Sequence, residues 1–311
     1  MRRLCAYGDG QEPLYGRGTV TLARRLAPLW LLAPYIAITL VFFIVPLLDA
    51  IGIAFYQTNG ARSRVWVGLD NFTFVLSDPD FHKALINTAV FTLGSLFIQL
   101  PLALGLALLL QNGKGRVTRV ARLIIFSPHL VGQVFVGILF SVLFMPRFGL
   151  INQGIQSLIG WGLEERWLGD PTLVMPALIL TSLWMYVGFN MIYFLAALQN
   201  VDKELVEAAR LDGAGPWQVF LHVVVPAIKP VMIFVVLTST IGSFQIFELP
   251  FTLLRGNGPD NAGLTIVGYL YQTAFTAGDL GTGAAVGWIL AFIIFMVGLV
   301  QIRLAGKGGG A

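Results

Sequence analysis

Two apolar segments of the sequence carry polar and aromatic residues at helical spacing, and these residues are well suited to bind a solute. In the first segment, at about 172 to 198, they are Ser182, Tyr186, Phe189, Asn190 and Tyr193. In the second, at about 228 to 249, they are Thr240, Phe244, Phe247 and Glu248, with Gln245 beside them. Residues three or four positions apart share a helix face, so each set predicts a stripe. Hydroxyl and amide groups interleaved with aromatic rings match a ligand that has hydroxyls and an apolar C–H face, as a sugar has.

The same residues also have a purely structural interpretation. Amides and hydroxyls in apolar helices form hydrogen bonds between helices, and aromatic rings contact lipid. Glu248 and Asp49 lie near the ends of their segments, where solvation by interfacial water competes with a role in solute binding. A structural role is also the simpler interpretation of His129. The stripes therefore predict a solute path more firmly than any one residue does.

A polar stretch between the two segments has the pattern of a short docking helix. Asp202 suits the N-cap of a helix at about 203–212, and Gly213 suits the left-handed residue that ends it. Pro216 suits the first turn of a second helix. On the first helix Leu205, Ala208 and Ala209 share one face, and the two alanines would let another backbone approach closely. Glu207 and Arg210 flank this face as polar contacts.

Catalytic and metal sites are not supported by the sequence. His82, His129 and His222 fall in different segments, so neither a haem ligand pair nor an H-E-x-x-H site is formed. The Gly-Lys-Gly sequences at 113–115 and 306–308 lack the upstream glycine and the hydroxyl residue of a phosphate-binding P-loop. Paired acids, or a nucleophile with its base, are not found at a shared depth, so we predict neither an enzyme nor a bound cofactor or metal.

Composition indicates an integral membrane protein, with 56% apolar residues, 12% charged residues and a mean hydropathy of +0.78. Six apolar segments are long enough to cross about 30 Å of hydrocarbon. They lie at about 28–55, 85–110, 121–145, 172–198, 228–249 and 282–304. The sequence thus predicts an all-α, polytopic protein with six transmembrane helices and both termini on one side.

The distribution of basic residues orients these helices. Fourteen of the twenty lysines and arginines fall in the two termini and in the second and fourth connections, which share one face. The positive-inside rule assigns that face to the cytoplasm. The net charge of +4 and the pI of about 9.3 therefore reflect topology, and we expect no nucleic-acid partner.

Residues 27–305 are predicted to form one transmembrane domain, with the docking helix in a cytoplasmic loop at 199–227. The first apolar segment is too long for a signal peptide and lacks a small-x-small cleavage site, so it is predicted to be retained. Residues 1–26 are expected to be a flexible cytoplasmic tail and residues 306–311 a second, short tail. The lone Cys5 falls in the first tail and has no partner for a disulfide.

The polar loop resembles the EAA motif of bacterial ABC-importer permeases. The triplet Glu207-Ala208-Ala209 is followed after three residues by Gly213, and after nine more by an apolar run that ends in Pro226. Its predicted cytoplasmic side and its position before the second-last segment match that family as well. The resemblance covers about residues 25 to 305 and is to the sugar-type subgroup, similar to the permeases of maltose and glycerol-phosphate importers.

Further stretches support the resemblance, and one departs from it. The sequences at 87–92, 148–152 and 198–201 look like the start of the family's core, its outer loop after the third span and the lead into the EAA loop. Family members commonly show leucine-threonine, then glycines and proline, where this chain has 253–259. Arg255 and Asn257 depart from that pattern, which bears on specificity more than on fold.

The resemblance implies a type I ABC importer permease fold in the bacterial inner membrane. Its partners would be two ABC ATPase subunits, a second and homologous permease, and a periplasmic or lipid-anchored solute-binding protein. ATP and Mg²⁺ would be bound by the ATPases. The residues implied to couple to an ATPase subunit are Glu207, Ala208, Ala209, Asp212, Gly213 and Pro226, with Pro226 ending the second cytoplasmic helix.

The solute implied by the resemblance is a sugar, a polyol or glycerol phosphate. An anionic solute favours a cationic site, and the fourth and fifth segments contain no lysine or arginine except Lys229 at the cytoplasmic edge. A neutral sugar is therefore favoured. The alternative function is an ion-coupled secondary carrier of a small polar solute, which usually needs membrane-embedded carboxylates or broken helices in matching halves.

Overall fold

The secondary structure is almost entirely helical in the computed structural model, which describes residues 22–59, 63–113, 115–160 and 164–307. Two three-residue strands, β1 (Tyr56–Thr58) and β2 (Arg64–Trp66), pair antiparallel with Tyr56 opposite Trp66. Backbone contacts divide the chain into two units, one up to Ala50 and one from Ile51 onward.

The described part of the first unit is a single run of helix. It consists of α1 (Leu22–Thr39), a π-helical turn (Leu40–Ile44) and the start of α2 (Val45–Ile53). Its apolar stretch, Leu31–Ile53, is long enough to cross a membrane. Of the predicted flexible tail at 1–26, residues 1–21 lie outside the described residues. Residues 22–26 belong to α1.

The second unit contains the remaining helices. In chain order they are α3 (Asp70–Ser77), α4 (Pro79–Gly94), α5 (Leu100–Leu110), α6 (Arg116–Phe126), α7 (Gln133–Leu143), α8 (Leu150–Ile159), α9 (Pro171–Gln199), α10 (Lys203–Leu211), α11 (Pro216–Val219), α12 (Val225–Phe244), α13 (Glu248–Leu254), α14 (Ile266–Tyr271) and α15 (Leu280–Lys307). Five shorter turns connect or extend them: π-helical turns at Ser95–Gln99, Phe220–Val224 and Gln272–Thr276, and 3-10 turns at Ser127–Leu130 and Pro259–Asn261.

Among the described residues, five helical stretches are long and apolar enough to cross a membrane: Leu31–Ile53, Pro79–Leu110, Pro171–Gln199, Pro216–Phe244 and Leu280–Gly306. A sixth span results when α6 and α7 are counted together, and these two helices are bent by 101°. The predicted third span at 121–145 is therefore not one straight helix. Gly188 of α9 lets this span pack closely, because a Cβ there would lie 1.9 Å from the carbonyl oxygen of Ile125.

Asp-Pro pairs begin the second and fourth spans. Asp78 accepts a hydrogen bond from the Asp80 amide at 2.8 Å, and Asp170 accepts one from the Thr172 amide at 2.8 Å. The proline that follows each cap has no N–H to leave unpaired. These caps extend the second span to residue 79, six residues before its predicted start, through a polar first turn. The hydrogen bonds from Thr172 also hold the pKa of the Asp170 carboxyl below its ordinary value.

The fifth span ends five residues earlier than predicted, at Phe244. In a continuing helix, the ring of Pro250 would clash with the carbonyl of Ile246 and leave that carbonyl without its usual donor. The Ile246 carbonyl instead accepts a hydrogen bond from Thr265 Oγ1 at 2.9 Å. Gln245, Ile246 and Phe247 are consequently outside any helix, and Glu248 begins α13.

Pro226 does not end a helix, contrary to prediction. The chain is helical from Pro216 to Phe244, and Pro226 lies in the first turn of α12. The preceding π-helical turn closes with the Val225 amide bonded to the Phe220 carbonyl, five residues back. This wider turn carries the helix past a residue that has no N–H to donate.

The connection between the fifth and sixth spans is itself folded onto the spans. Asn87 of α4 donates to the carbonyls of Asn261 and Leu264 at 2.9 and 3.0 Å, and the Tyr269 hydroxyl donates to Asp78 at 2.6 Å. Burial and then this Asp78 bond raise the pKa of the Tyr269 phenol well above its ordinary value. The connection is therefore held by side-chain hydrogen bonds at the start of the second span.

Three clusters of buried apolar side chains form the core of the second unit. One joins α7, α9 and α13 around Phe144 and Leu249. Another joins α5, α9 and α12 around Ala103 and Met191. The third joins α3, α4, α14 and α15 around Phe81 and Val286. The fourth span, α9, belongs to the first two clusters and is the helix around which the others pack.

Candidate functional site

A helix is present where the docking helix was predicted, as α10, and both of its ends are capped. Its docking to a partner stays a prediction. Asp202 accepts a hydrogen bond from the Glu204 amide at 2.9 Å. At the other end Gly213 has φ of +85°, and its amide bonds to the Arg210 carbonyl while the Ala214 amide bonds to the Ala209 carbonyl. This pair of bonds is a Schellman motif, which requires a left-handed residue at the glycine position.

The docking helix turns one side toward the protein and the other to solvent. Val206 and Arg210 line a cavity of about 500 Å³ between α10, the ends of α5 and α9, and α11 with the π-helical turn that follows it. Glu207 and Ala208 are exposed, and so is Leu211, at 89% of its surface. The solvent-facing side of α10 therefore combines the carboxylate of Glu207, the small side chain of Ala208 and the exposed apolar side chain of Leu211.

The remaining residues predicted to couple to an ATPase are Ala209, within α10, and Asp212, Gly213 and Pro226, which follow it. Ala209 and Gly213 line a shallow cavity of about 390 Å³ with Asp212. Pro226 is exposed on the following helix, beyond the π-helical turn. The structure thus brings the EAA triplet, Asp212 and Gly213 together, and Pro226 lies apart from them.

A cavity of about 330 Å³ opens between the second, third, fourth and fifth spans. Its lining combines neutral polar residues with aromatic residues, a glycine and an isoleucine: Phe91, Ser95, Gln99, Gln133, Ser182, Tyr186, Phe189, Asn190, Thr238, Ser239, Gly242, Ser243, Gln245 and Ile246. The volume lies near the lower end of the range for small-molecule sites, about 300–1,000 Å³.

Four of the five residues in the predicted stripe on the fourth span face this cavity, whereas Tyr193 packs against Phe189 and Phe234. Ser182, Tyr186, Phe189 and Asn190 all contribute to the wall. The Tyr186 hydroxyl accepts a hydrogen bond from Gln133 Nε2 at 2.7 Å, which connects the fourth span to the third across the wall. One face of α9 therefore supplies hydroxyl, amide and ring groups to a single space.

The predicted stripe on the fifth span is wrong as a helical face. Phe247 and Glu248 lie beyond the end of α12, because Pro250 prevents the helix from continuing. They therefore cannot extend a stripe from Thr240 and Phe244. Of the predicted residues in this region, Gln245 lines the cavity.

The four other predicted residues make contacts elsewhere. Thr240 accepts a hydrogen bond from Gln301 Nε2 at 2.8 Å, and Phe244 packs in the core around α4 and α15. The ring of Phe247 contacts the rings of Phe251 and Tyr271 in tilted arrangements, and Glu248 is exposed. Their contribution to a solute path remains a prediction.

Several residues of the cavity were not predicted. The fifth span contributes Thr238, Ser239, Gly242 and Ser243, and the centre of the face that they share points away from Thr240. Gln99 and Gln133 come from the second span and from the start of α7. The two glutamines could have been predicted from the sequence, because an amide side chain is rare in an apolar segment of this length and often has a functional role.

His129 lies beside the cavity wall at the bend of the third span. Its ring stacks on Phe189 with centroids 4.1 Å apart, and its Nδ1 is buried without a hydrogen-bond partner. Asp49 lies in α2 with an exposed side chain. Within the described ranges, no three His, Cys, Asp or Glu side chains cluster as metal ligands would.

Known proteins are similar to this chain in both sequence and fold. Residues 99–306 match the family model for binding-protein-dependent transport system inner membrane components. The chain is 35% identical to the arabinooligosaccharides transport system permease protein of Bacillus subtilis (strain 168), over 93% of this chain and 92% of the relative. It is 33% identical to the lactose transport system permease protein of Rhizobium radiobacter, over 89% and 93%.

A solved structure has the same fold. A chain in the crystal structure of a bacterial ABC transporter involved in the import of the acidic polysaccharide alginate superposes with a TM-score of 0.80 and 23% identity, over 93% of this chain and 98% of that one. The predicted type I importer permease fold is confirmed by this match. From its sequence and its helical architecture together, the chain belongs to the family of binding-protein-dependent transport system inner membrane components.

Proposed function

We propose that this chain forms half of the translocation path of an ATP-driven importer of neutral saccharides. The cavity between the spans is the observation that carries the proposal. Its hydroxyl and amide groups pair with sugar hydroxyls, and the rings of Phe91, Tyr186 and Phe189 suit an apolar sugar face.

The charge of the cavity favours a neutral solute. The described side chains that line it include no lysine, arginine, aspartate or glutamate. A phosphate or carboxylate transferred into such a site would lose its hydration without gaining a cation, which is costly in a low-dielectric environment. Relatives named for arabinooligosaccharide and lactose transport agree with this class of solute.

Coupling to ATP hydrolysis is proposed to run through α10. A capped, rigid helix with an exposed carboxylate and small residues is suited to a cleft on another protein. Glu207 supplies a charge for a basic partner residue, and Ala208 and Ala209 permit close approach. ATP and Mg²⁺ would be bound by two separate ATPase subunits, because the sequence has no P-loop of its own.

The assembly would include a second permease and a solute-binding protein, as family membership supports. The excess of lysine and arginine on one face supports an inner-membrane orientation with both termini in the cytoplasm. In this orientation α10 faces the cytoplasm, where ATP is available.

Solute uptake by whole cells tests the solute class, because every partner is then present. Cells lacking this chain, and cells complemented with it, would be given labelled lactose, arabinotriose or sn-glycerol 3-phosphate. We expect uptake of at least one neutral saccharide to depend on the chain, and uptake of the phosphate ester not to. Chain-dependent uptake of the phosphate ester alone would contradict a neutral cavity.

Two pairs of variants separate the cavity from the coupling helix. Asn190→Ala, in the cavity wall, should reduce uptake, whereas Asn200→Ala, exposed at the end of the same helix, should not. Glu207→Lys should abolish uptake while the chain still inserts in the membrane, and Glu204→Lys on the same helix is its control. Normal uptake by Glu207→Lys would contradict the coupling proposal.

A further inference from the structure

The second span contributes a polar π-helical turn to the cavity. This turn, Ser95–Gln99, packs against α9 and α12, and the side chains at its two ends both line the cavity. Ser95 is 4% exposed and Gln99 is 5% exposed. Both side chains are therefore largely removed from bulk water and border the same cavity.

The hydroxyl of Ser95 differs from the other buried hydroxyls of this span. Thr88 Oγ1 donates to the Ala84 carbonyl, and Thr92 Oγ1 donates to the Thr88 carbonyl, each at 2.8 Å. Ser95 Oγ is buried and has no hydrogen-bond partner within the described part of the chain. Since buried hydroxyls almost always find a partner, an unpaired one in a cavity wall indicates a position where a partner binds.

The helical spacing of the two residues accounts for their position on one wall. A π turn has about one more residue per turn than an α turn and occurs often at functional sites. Ser95 begins the turn and Gln99 ends it, so residues four positions apart lie on one side of the helix. The hydroxyl and the amide therefore form a short polar strip along the wall of the cavity.

We propose that Ser95 and Gln99 bind the transported saccharide directly and help to select it. The Ser95 hydroxyl would donate to or accept from one sugar hydroxyl, and the Gln99 amide, with a carbonyl oxygen and an NH₂ group, would bind one or two more. This inference rests on the proposed function, and it adds the second span to the solute contacts proposed for the fourth and fifth.

Selective substitutions test the inference in whole cells. Ser95→Ala and Gln99→Leu remove the polar groups with little change in volume. Thr92→Val is the matched control, since Thr92 is a buried hydroxyl one turn away whose bond is to its own backbone. We expect Ser95→Ala and Gln99→Leu each to lower the maximal uptake rate of lactose or arabinotriose about fivefold to tenfold, as loss of one hydrogen bond predicts, with Thr92→Val near wild type.

Deoxy sugars distinguish direct contact from a change in structure. If Ser95 binds a sugar hydroxyl, the monodeoxy derivative that lacks this hydroxyl cannot form the bond even in wild type. Wild type and Ser95→Ala should therefore carry that derivative equally. A similar loss for every derivative would mean that Ser95 is structural and would overturn the inference. Unchanged rates in both variants would overturn it while leaving the proposed function intact. Failure of the wild type to carry either saccharide would overturn both.

Discussion

Gly213→Ala is the substitution whose effect follows most directly from the backbone. Gly213 has φ of +85°, and a Cβ built on it would meet nothing within 4 Å. The cost is therefore conformational rather than steric, about 1–2 kcal/mol for an L-residue in the left-handed region. That free energy lowers the ratio of the native turn to other conformers by about 5- to 30-fold, since 1.4 kcal/mol corresponds to a factor of ten.

Uptake of a transported saccharide by whole cells measures the consequence. If α10 must be held in this orientation to dock with an ATPase, uptake by Gly213→Ala should fall, with that factor as its upper bound. Gly213→Asn should lose less, because asparagine tolerates the left-handed region better. Gly215→Ala is the matched control, because Gly215 has φ of −69° and a Cβ there meets only Gln218 Oε1, at 3.7 Å. Equal uptake by Gly213→Ala and Gly215→Ala, at equal amounts in the membrane, would refute the reasoning.

Three further predictions concern hydrogen bonds outside the cavity. Asp202→Ala removes the N-cap bond to Glu204 and should destabilise α10 by about 1 kcal/mol, seen as faster proteolysis of the loop, whereas Asp202→Ser should restore protection. Thr265→Val removes both the bond to the Ile246 carbonyl, at the break after the fifth span, and the N-cap bond from the Gly268 amide. It should lower the unfolding midpoint in detergent, with a loss of about 1–3 kcal/mol from the first bond alone, and an unchanged midpoint would contradict this. Tyr269→Phe removes the bond to Asp78 and should cost about 1.5–3 kcal/mol at neutral pH. Because the folded-state pKa of the Tyr269 phenol is raised, its contribution is complete below the unfolded value of about 10 and is lost as pH rises through the folded value, so the two midpoints should converge only in strong alkali.

Local signals in the sequence were sufficient to predict the docking helix. Asp202, Gly213 and Pro216 each act within one helical turn, and the helix forms where they indicate. The spans were predicted from hydropathy for the same reason, since about 20 consecutive apolar residues need no knowledge of neighbouring helices.

The breaks within the spans were harder to predict, because hydropathy does not register a change of direction. The third span passes as one predicted segment through its 101° bend, although Pro128 and Gly132 at the bend are local signals for a break. The end of the fifth span had a local signal in Pro250, but the segment stays apolar past it. Pro226 shows the opposite case, in which a π-helical turn lets a helix continue through a proline.

The cavity was predicted only in part, because it depends on how helices pack. The stripe on α9 was visible in the sequence since one helix supplies it. The faces of α12 and of the second span that meet it are set by packing against α9, which a periodicity cannot reveal. Thr240 illustrates the limit, since its spacing matched a solute stripe and its hydroxyl instead accepts a bond from Gln301.

The source of energy for uptake is the most direct test of the central claim. Chain-dependent uptake of labelled lactose or arabinotriose would be measured in whole cells under two conditions: ATP depleted with the proton gradient maintained, and the gradient collapsed with ATP maintained. An importer permease coupled to separate ATPases predicts that uptake stops when ATP is depleted and continues when the gradient is collapsed. Uptake that continues without ATP and stops with the gradient would contradict the account and identify an ion-coupled carrier.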